Sequence, residues 1–158
     1  MHFLGDITQP LHDEAEAFGG NGINITWNGE IRRLHGAWDD QMVERDAGGS
    51  GSVIIAQYAE LLTEKIQTGG FGDVRKWVEC VDVTTPERCA LRWATDANWW
   101  NCEFVLKSDV RGMELNGTYF EGARGIIKTQ IAKGGLRLGY FLNELAAADA
   151  GTAQELKV

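Results

Sequence analysis

The three histidines of this chain are the residues best suited to chemistry, and two of them stand four residues before an aspartate. His2 precedes Asp6, His35 precedes Asp39, and His12 lies between the two pairs. On a helix, residues four apart share a face, with Cβ atoms roughly 5–6 Å apart, so each pair could hold one cation. Imidazole and carboxylate ligands without a thiolate are typical of catalytic zinc, although iron or manganese would also accept them. We therefore predict a metal site; the alternative is that the His–Asp pairs are only hydrogen-bonded helix contacts.

Two short segments must position these ligands. The first, 2–11, reads as the end of a helix that Pro10 stops, since proline lacks a backbone donor and restricts the residue before it. The second is a hairpin, 23–34, in which apolar and polar residues alternate around Asn28-Gly29, a strong turn signal. Its return strand leads directly to His35, and 35–44 reads as a helix.

The remaining chain is expected to be mostly helical. Apolar spacing predicts an amphipathic helix over 53–67 after a Gly-rich break. Helices are also expected over 71–80, over the tryptophan-rich run 90–105, and over 122–148, where an apolar stripe is interrupted by Gly134-Gly135. The stripe predicts a core helix formed by Ile127, Ile131, Leu138, Leu142 and Leu145. The fold class is therefore mainly α with one small β-hairpin.

Length and charge limit the function. At 158 residues, one domain is expected, and no apolar run approaches the length of a membrane span, so no membrane partner is predicted. The net charge of -8 argues against a broad basic groove for nucleic acid. Any phosphate would have to be held locally, as bound cations can do.

Cysteines and sequons favour an oxidising compartment. The three cysteines are Cys80, Cys89 and Cys102, and Asn-x-Thr sequons begin at Asn24 and Asn116. Cys80 and Cys89 are candidates for a local pair, which leaves Cys102 alone. Three buried thiols in a cytosolic protein are the alternative.

The start of the chain suggests a missing segment. His2 has no Ser, Thr, Asp or Asn before it to cap the helix, and no signal peptide precedes it. We expect residues 1–146 to be the C-terminal portion of a single helical domain and 147–158 to be a tail.

Several motifs, in this order, resemble the zinc-dependent single-strand-specific nucleases of fungi and plants. They are His-Phe-Leu-Gly-Asp-Ile-Thr-Gln-Pro-Leu-His at 2–12, Gly-Gly-Asn at 19–21, Leu-His-Gly-Ala-Trp-Asp at 34–39, Cys-Ala-Leu-Arg-Trp-Ala at 89–94, and Tyr-Phe-Glu-Gly-Ala at 119–123, followed by Gln-Ile-Ala at 130–132 and Arg-Leu at 137–138. The resemblance runs nearly the whole length. It implies a helical fold like that of zinc phospholipase C, here lacking its N-terminal helices, and a centre of three zinc ions.

The resemblance also implies ligand roles. His12, His35 and Asp39 would complete one zinc site, while His2 and Asp6 would serve a closely paired site, with Asp6 bridging two ions. The other ligands of that pair have no counterpart here. Cys102 would pair with a cysteine outside this chain.

The resemblance further implies a secreted enzyme that hydrolyses single-stranded DNA and RNA to 5′-phosphate products and acts on 3′-nucleotides. Phe18 falls where an apolar side chain would contact the nucleobase, and Asp40 where a substrate contact can lie. Because zinc ligands are missing, we expect this chain to be weakly active or inactive.

Two alternatives stay open. Zinc phospholipase C has similar ligand spacing, but that class is expected to carry glutamate where this chain has Asp39. The other alternative is a non-catalytic zinc-binding remnant.

Overall fold

The computed structural model describes residues 2–155, with side chains described for 2–150. It is mainly helical with a single two-stranded sheet in that part of the chain, as predicted. The helices are α1 His2–Asp6, α2 Leu34–Gly36, α3 Met42–Ala47, α4 Ser52–Gln67, α5 Pro86–Trp100 and α6 Thr118–Glu155. Short 3-10 helices span Pro10–Asp13 and Val74–Trp77, and π-helical segments span Ala37–Gln41 and Asn101–Val105.

The predicted hairpin is confirmed as β1 Asn24–Trp27 paired antiparallel with β2 Glu30–Arg33. Asn28 and Gly29 both have positive φ, at 55° and 78°, as a tight hairpin turn requires. The Glu114 side chain accepts from both turn amides, at 3.1 and 2.9 Å. The turn is therefore fixed from outside as well as by its own residues.

One apolar cluster joins the hairpin, α2, α3 and the first half of α6. It consists of Leu11, Ile23, Ile25, Trp27, Leu34, Ala37, Trp38, Met42, Val105, Val110, Leu115, Phe120, Ala123, Ile126 and Ile127. Burial of this surface supplies the main driving force for folding. The cluster also lies directly beneath the segments that carry His12 and His35, because Leu11 and Leu34 are both members.

The prediction of a helix over 71–80 is wrong. Only Val74–Trp77 is helical there, as one 3-10 turn. Gly69 and Gly72 adopt positive φ, and the Asp73 side chain caps the turn by accepting from the Arg75 amide. Glycines in that conformation end regular helix, since a right-handed helix needs negative φ throughout.

The C-terminal helix is longer and less buried than predicted. α6 passes through Gly134-Gly135 without interruption and continues into the segment assigned as a tail. A Cβ at Gly134 would lie 3.2 Å from the Thr8 hydroxyl, so this glycine permits the loop after α1 to approach closely. Ile127 is buried, whereas Leu142 and Leu145 are exposed. Only the first part of the predicted stripe is core.

Candidate metal centre

His12 is held by a short loop with two anchors. The 3-10 helix Pro10–Asp13 begins with proline, and the Gln9 side chain caps it by accepting from the Leu11 amide. The Asn101 side chain, itself buried, donates to the Pro10 carbonyl at 2.7 Å. With Leu11 fully buried below, the loop can place His12 reproducibly at the surface.

His35 and Asp39 come from one continuous helix that starts where β2 ends. Leu34, fully buried, begins the helix and donates its amide to the Ile23 carbonyl at 2.9 Å. Asp39 lies in the π-helical segment Ala37–Gln41, which the sequence analysis did not predict. Single π turns are frequent at functional sites because they re-aim side chains on a helix. Here Nε2 of His35 lies 3.3 Å from Oδ2 of Asp39.

The structure brings His12, His35 and Asp39 together. One ligand atom from each lies within 4.8 Å of the others. Nε2 of His12 is 3.2 Å from Oδ1 of Asp39, and the two imidazole rings stack with centroids 5.0 Å apart. Residues 27 positions apart in the chain thus meet at one point.

Backbone carbonyls fix which nitrogen of each ring faces the carboxylate. Nδ1 of His35 is 2.7 Å from the Gly19 carbonyl, and Nδ1 of His12 is 2.9 Å from the Asp6 carbonyl. A carbonyl only accepts, so Nδ1 must carry the proton in both rings. In the neutral imidazoles, Nε2 therefore presents a lone pair toward Asp39.

This arrangement fits a divalent metal ion. Two imidazole lone pairs and a carboxylate converge, and acceptors in such contact repel one another unless a cation lies between them. Protonated Nδ1 bound to a carbonyl is also the usual support for a metal-binding histidine. The three side chains are 22 to 33% exposed, so solvent or a substrate can reach the same ion. Three protein ligands with an open position are typical of catalytic zinc.

His2 and Asp6 line the neighbouring cavity and do not join the three-ligand group. Oδ1 of Asp6 lies 3.7 Å from Nε2 of His2 and 3.1 Å from Nδ1 of His12, so it faces the far side of the His12 ring. His2 is largely exposed. His2, Asp6 and His12 line a cavity of about 420 Å³ together with Asp39. The ligand roles of His2 and Asp6 remain predictions.

The two candidate substrate residues lie on different sides of the centre. Phe18 is 86% exposed and lines a cavity with His12 and His35. Asp40 is exposed and lines a separate groove with Asp39 and Tyr58. The structure therefore brings Phe18 beside the two histidines and turns Asp40 away from Phe18.

Two polar residues of the segment that carries His12 received no role from the sequence: Gln9, which caps the 3-10 helix, and Asp13, which ends it. The Gln9 amide nitrogen donates to Oδ1 of Asp39 at 2.9 Å. Asp13 has a buried carboxylate oxygen with no hydrogen-bond partner among the described residues. Burial raises the pKa of Asp13 to about 6, and the nearby Asp6 carboxylate adds to the rise. The signal for Gln9 was its position inside the first ligand motif, and Asp13 directly follows that motif.

The fold and this centre define a mainly helical protein with three possible metal ligands grouped at its surface. Residues 1–147 match the family model described as S1/P1 Nuclease. The chain is 38% identical over 151 residues to Nuclease S1 from Aspergillus oryzae, covering 93% of this chain and 53% of that protein. It is 37% identical to Nuclease P1 from Penicillium citrinum, covering 94% of this chain and 57% of the relative. Endonuclease 2 from Arabidopsis thaliana is 30% identical, over 91% of this chain and 49% of the relative.

The chain belongs to the S1/P1 nuclease family. It spans about half the length of the curated relatives it matches. Within residues 2–155, no helix combines the length and apolar character that crossing a membrane requires.

Proposed function

We propose that this protein acts as a zinc-dependent phosphodiesterase on single-stranded DNA and RNA, giving 5′-phosphate products, and also as a 3′-nucleotidase. The observation that carries the proposal is the convergence of two imidazole lone pairs and one carboxylate on an open surface, in a chain of this family. Oxygen and nitrogen ligands of this kind suit zinc. His12, His35 and Asp39 would hold the ion, with His2 and Asp6 supplying part of a neighbouring pair.

Bound zinc would supply a hydroxide nucleophile near neutral pH and positive charge for the phosphate. The chain's own residues have two tasks. The carbonyls of Gly19 and Asp6 hold both histidines in the tautomer that can bind metal. The Phe18 side chain, exposed beside the two rings, offers a surface on which one unpaired base could stack. Asp40 is the weaker candidate for a substrate contact, because it faces the other groove.

We also propose that the protein is secreted, glycosylated and disulfide-bonded. Asn24 is exposed at the start of β1 and could carry a glycan, whereas the Asn116 side chain contacts the side chain of Asn28. The three cysteines are free thiols in this structure. The Cys89 thiol nevertheless contacts the Cys80 carbonyl, which favours these two as the bonded pair.

The experiment is zinc stoichiometry by elemental analysis, with hydrolysis of a single-stranded oligonucleotide and of a 3′-nucleotide assayed on the same sample. The expected result is bound zinc with weak hydrolysis, which a chelator stops and zinc restores. Absence of zinc from the purified and zinc-equilibrated chain would contradict the proposal.

A non-catalytic zinc-binding protein is the second candidate. It is favoured because, among the described residues, only one group, His12, His35 and Asp39, meets the geometry of a metal site. One zinc per chain without hydrolysis would support this candidate. A phospholipase role like that of zinc phospholipase C would instead appear as phosphatidylcholine hydrolysis, which can be assayed on the same sample.

A further inference from the structure

Gln9 joins the two segments that supply the metal ligands. It lies in the loop between α1 and the 3-10 helix that carries His12, while Asp39 lies 30 residues further along the chain. Its side chain makes two hydrogen bonds with opposite ends of the same amide. Oε1 accepts from the Leu11 amide at 2.5 Å, and Nε2 donates to Oδ1 of Asp39 at 2.9 Å.

Chemistry fixes the orientation of that amide. The Leu11 atom that the Gln9 side chain faces is the backbone N–H, which can only donate, so the oxygen of Gln9 must face it and the NH₂ group must face Asp39. Because Pro10 has no amide hydrogen, Leu11 carries the first donor of the 3-10 helix, and this donor needs a cap. The cap therefore holds the glutamine side chain in place for its second contact.

The second contact suits a metal-binding carboxylate. A neutral donor on Oδ1 orients Asp39 without adding a competing charge. Hydrogen bonds of this kind to ligating carboxylates typically change metal affinity by about 10- to 100-fold. A single side chain thus couples the loop of His12 to the orientation of Asp39.

We propose that Gln9 is a positioning residue for the His12, His35 and Asp39 centre, acting through Asp39 and not as a ligand itself. The proposal rests on the zinc site of the proposed function. It adds a residue outside the predicted ligand set and assigns separate roles to the two ends of its amide.

Two variants separate the capping role from the positioning role. Gln9→Ser keeps an oxygen that can cap the Leu11 amide, since serine is a favoured N-cap, but the side chain is too short to reach Asp39. Gln9→Ala removes both contacts. Gln57→Ser, at an exposed glutamine on α4, is the matched control.

The measurements are zinc affinity by competition with a chromophoric chelator, the melting temperature of the metal-free chain, and the visible spectrum of the Co²⁺-loaded chain. For Gln9→Ser we expect zinc affinity about tenfold weaker or more, an altered Co²⁺ spectrum and an unchanged melting temperature. Gln9→Ala should lower both affinity and melting temperature, and Gln57→Ser neither.

Wild-type zinc affinity in Gln9→Ser would overturn the inference while leaving the proposed function intact. If zinc affinity falls only in parallel with the melting temperature in both Gln9 variants, Gln9 acts only as a helix cap and the inference is wrong. Failure of the wild-type chain to bind zinc would instead refute the zinc site itself, and the inference with it.

Discussion

Nε2 of His35 lies 3.3 Å from Oδ2 of Asp39, one helical turn further on, and in the neutral ring neither atom carries a proton. The proton of His35 is on Nδ1, where the Gly19 carbonyl accepts it at 2.7 Å. His12 repeats the pattern from a different segment, with its own carbonyl partner at Asp6. The repulsion among these acceptors is relieved when a cation binds between them.

Replacing His35 should remove the metal. His35→Ala takes away one of three ligands, so we expect the purified variant to retain no zinc after dialysis, as measured by elemental analysis. Glu60→Ala, at an exposed carboxylate on α4 outside the three-ligand group, is the control. Equal zinc content in both variants would contradict the assignment.

Gly19 should not tolerate a side chain. Its φ is +63°, and a Cβ would lie 2.7 Å from the Leu11 carbonyl oxygen. We expect Gly19→Ala to cost about 1–3 kcal/mol in free energy of unfolding, because the backbone must shift and the acceptor for His35 moves with it. Chemical denaturation measures this cost. Gly36→Ala, where a Cβ meets nothing within 4 Å, is the control and should be neutral or stabilising.

Ionisation of Asp46 should make the free energy of unfolding depend on pH. Its side chain is inaccessible to solvent and accepts hydrogen bonds from Tyr58 at 2.6 Å and Arg124 at 2.9 Å, with Lys128 at 3.3 Å. Burial raises the pKa of Asp46, but the hydrogen bonds from Tyr58 and Arg124 and the charge of Lys128 outweigh burial and leave that pKa below its usual value.

Because the pKa of Asp46 is lowered in the folded state, the stabilisation from its ionised carboxylate is fully present above the unfolded pKa of about 4. It should be lost as the pH falls through the lower folded value. Asp46→Asn should cost about 3 kcal/mol near neutral pH, since it removes the buried carboxylate that Arg124 and Lys128 share and leaves Arg124 with Glu121 alone. The variant should also show a flatter fall in stability below about pH 4. Urea denaturation across pH measures both effects, and Asp109→Asn, at an exposed surface pair, should match the wild type.

Phe18 should contribute to binding of unpaired bases. Phe18→Ala is expected to weaken binding of a short single-stranded oligonucleotide by about 1–3 kcal/mol, the usual range for one base stacked on an aromatic ring. Fluorescence anisotropy of the zinc-loaded chain measures the change. Leu91→Ala removes another highly exposed apolar side chain, on α5, and should have no effect. A double-stranded probe should be insensitive to both variants.

Cys80 and Cys89 should form a disulfide in an oxidising buffer. The Cys89 thiol contacts the Cys80 carbonyl, so the two cysteines lie side by side. Burial, followed by interaction with Cys80, raises the pKa of the Cys89 thiol to about 12. With glutathione disulfide as oxidant, the two thiols would lose two protons and two electrons, and glutathione would be reduced. The Cys102 thiol is exposed and serves as the internal control.

Peptide mapping decides the pairing. Trypsin cleaves after Lys76, Arg88 and Arg92, so Cys80 and Cys89 fall in separate peptides, 77–88 and 89–92. These peptides should be linked in the unreduced digest, while Cys102 is alkylated. Alkylation of all three cysteines after oxidation would show that the pair does not form.

The sequence predicted the types and spacing of the ligands because these depend on local order. His35 and Asp39 are one turn apart on any helix, and Asn28-Gly29 adopts the positive φ angles of a hairpin turn wherever the flanking strands can pair. Helix α4 was also predicted from its apolar spacing and α5 from its tryptophan-rich run, apart from their ends. Local periodicity and turn chemistry determined these features.

Contacts between distant segments decided the rest. The apolar pattern revealed neither the close approach of Thr8 to Gly134 on α6 nor the positive-φ glycines that precede the single turn at Val74–Trp77. The choice of Nε2 in both histidines depends on the carbonyls that accept from Nδ1, one of them 16 residues away in the chain. The sequence, with its family resemblance, therefore indicated which residues could hold a metal and which three belong to one site. Only the tertiary structure decided with which atoms these three meet and that Gln9 lies beside them, because these relationships arise from packing across the chain.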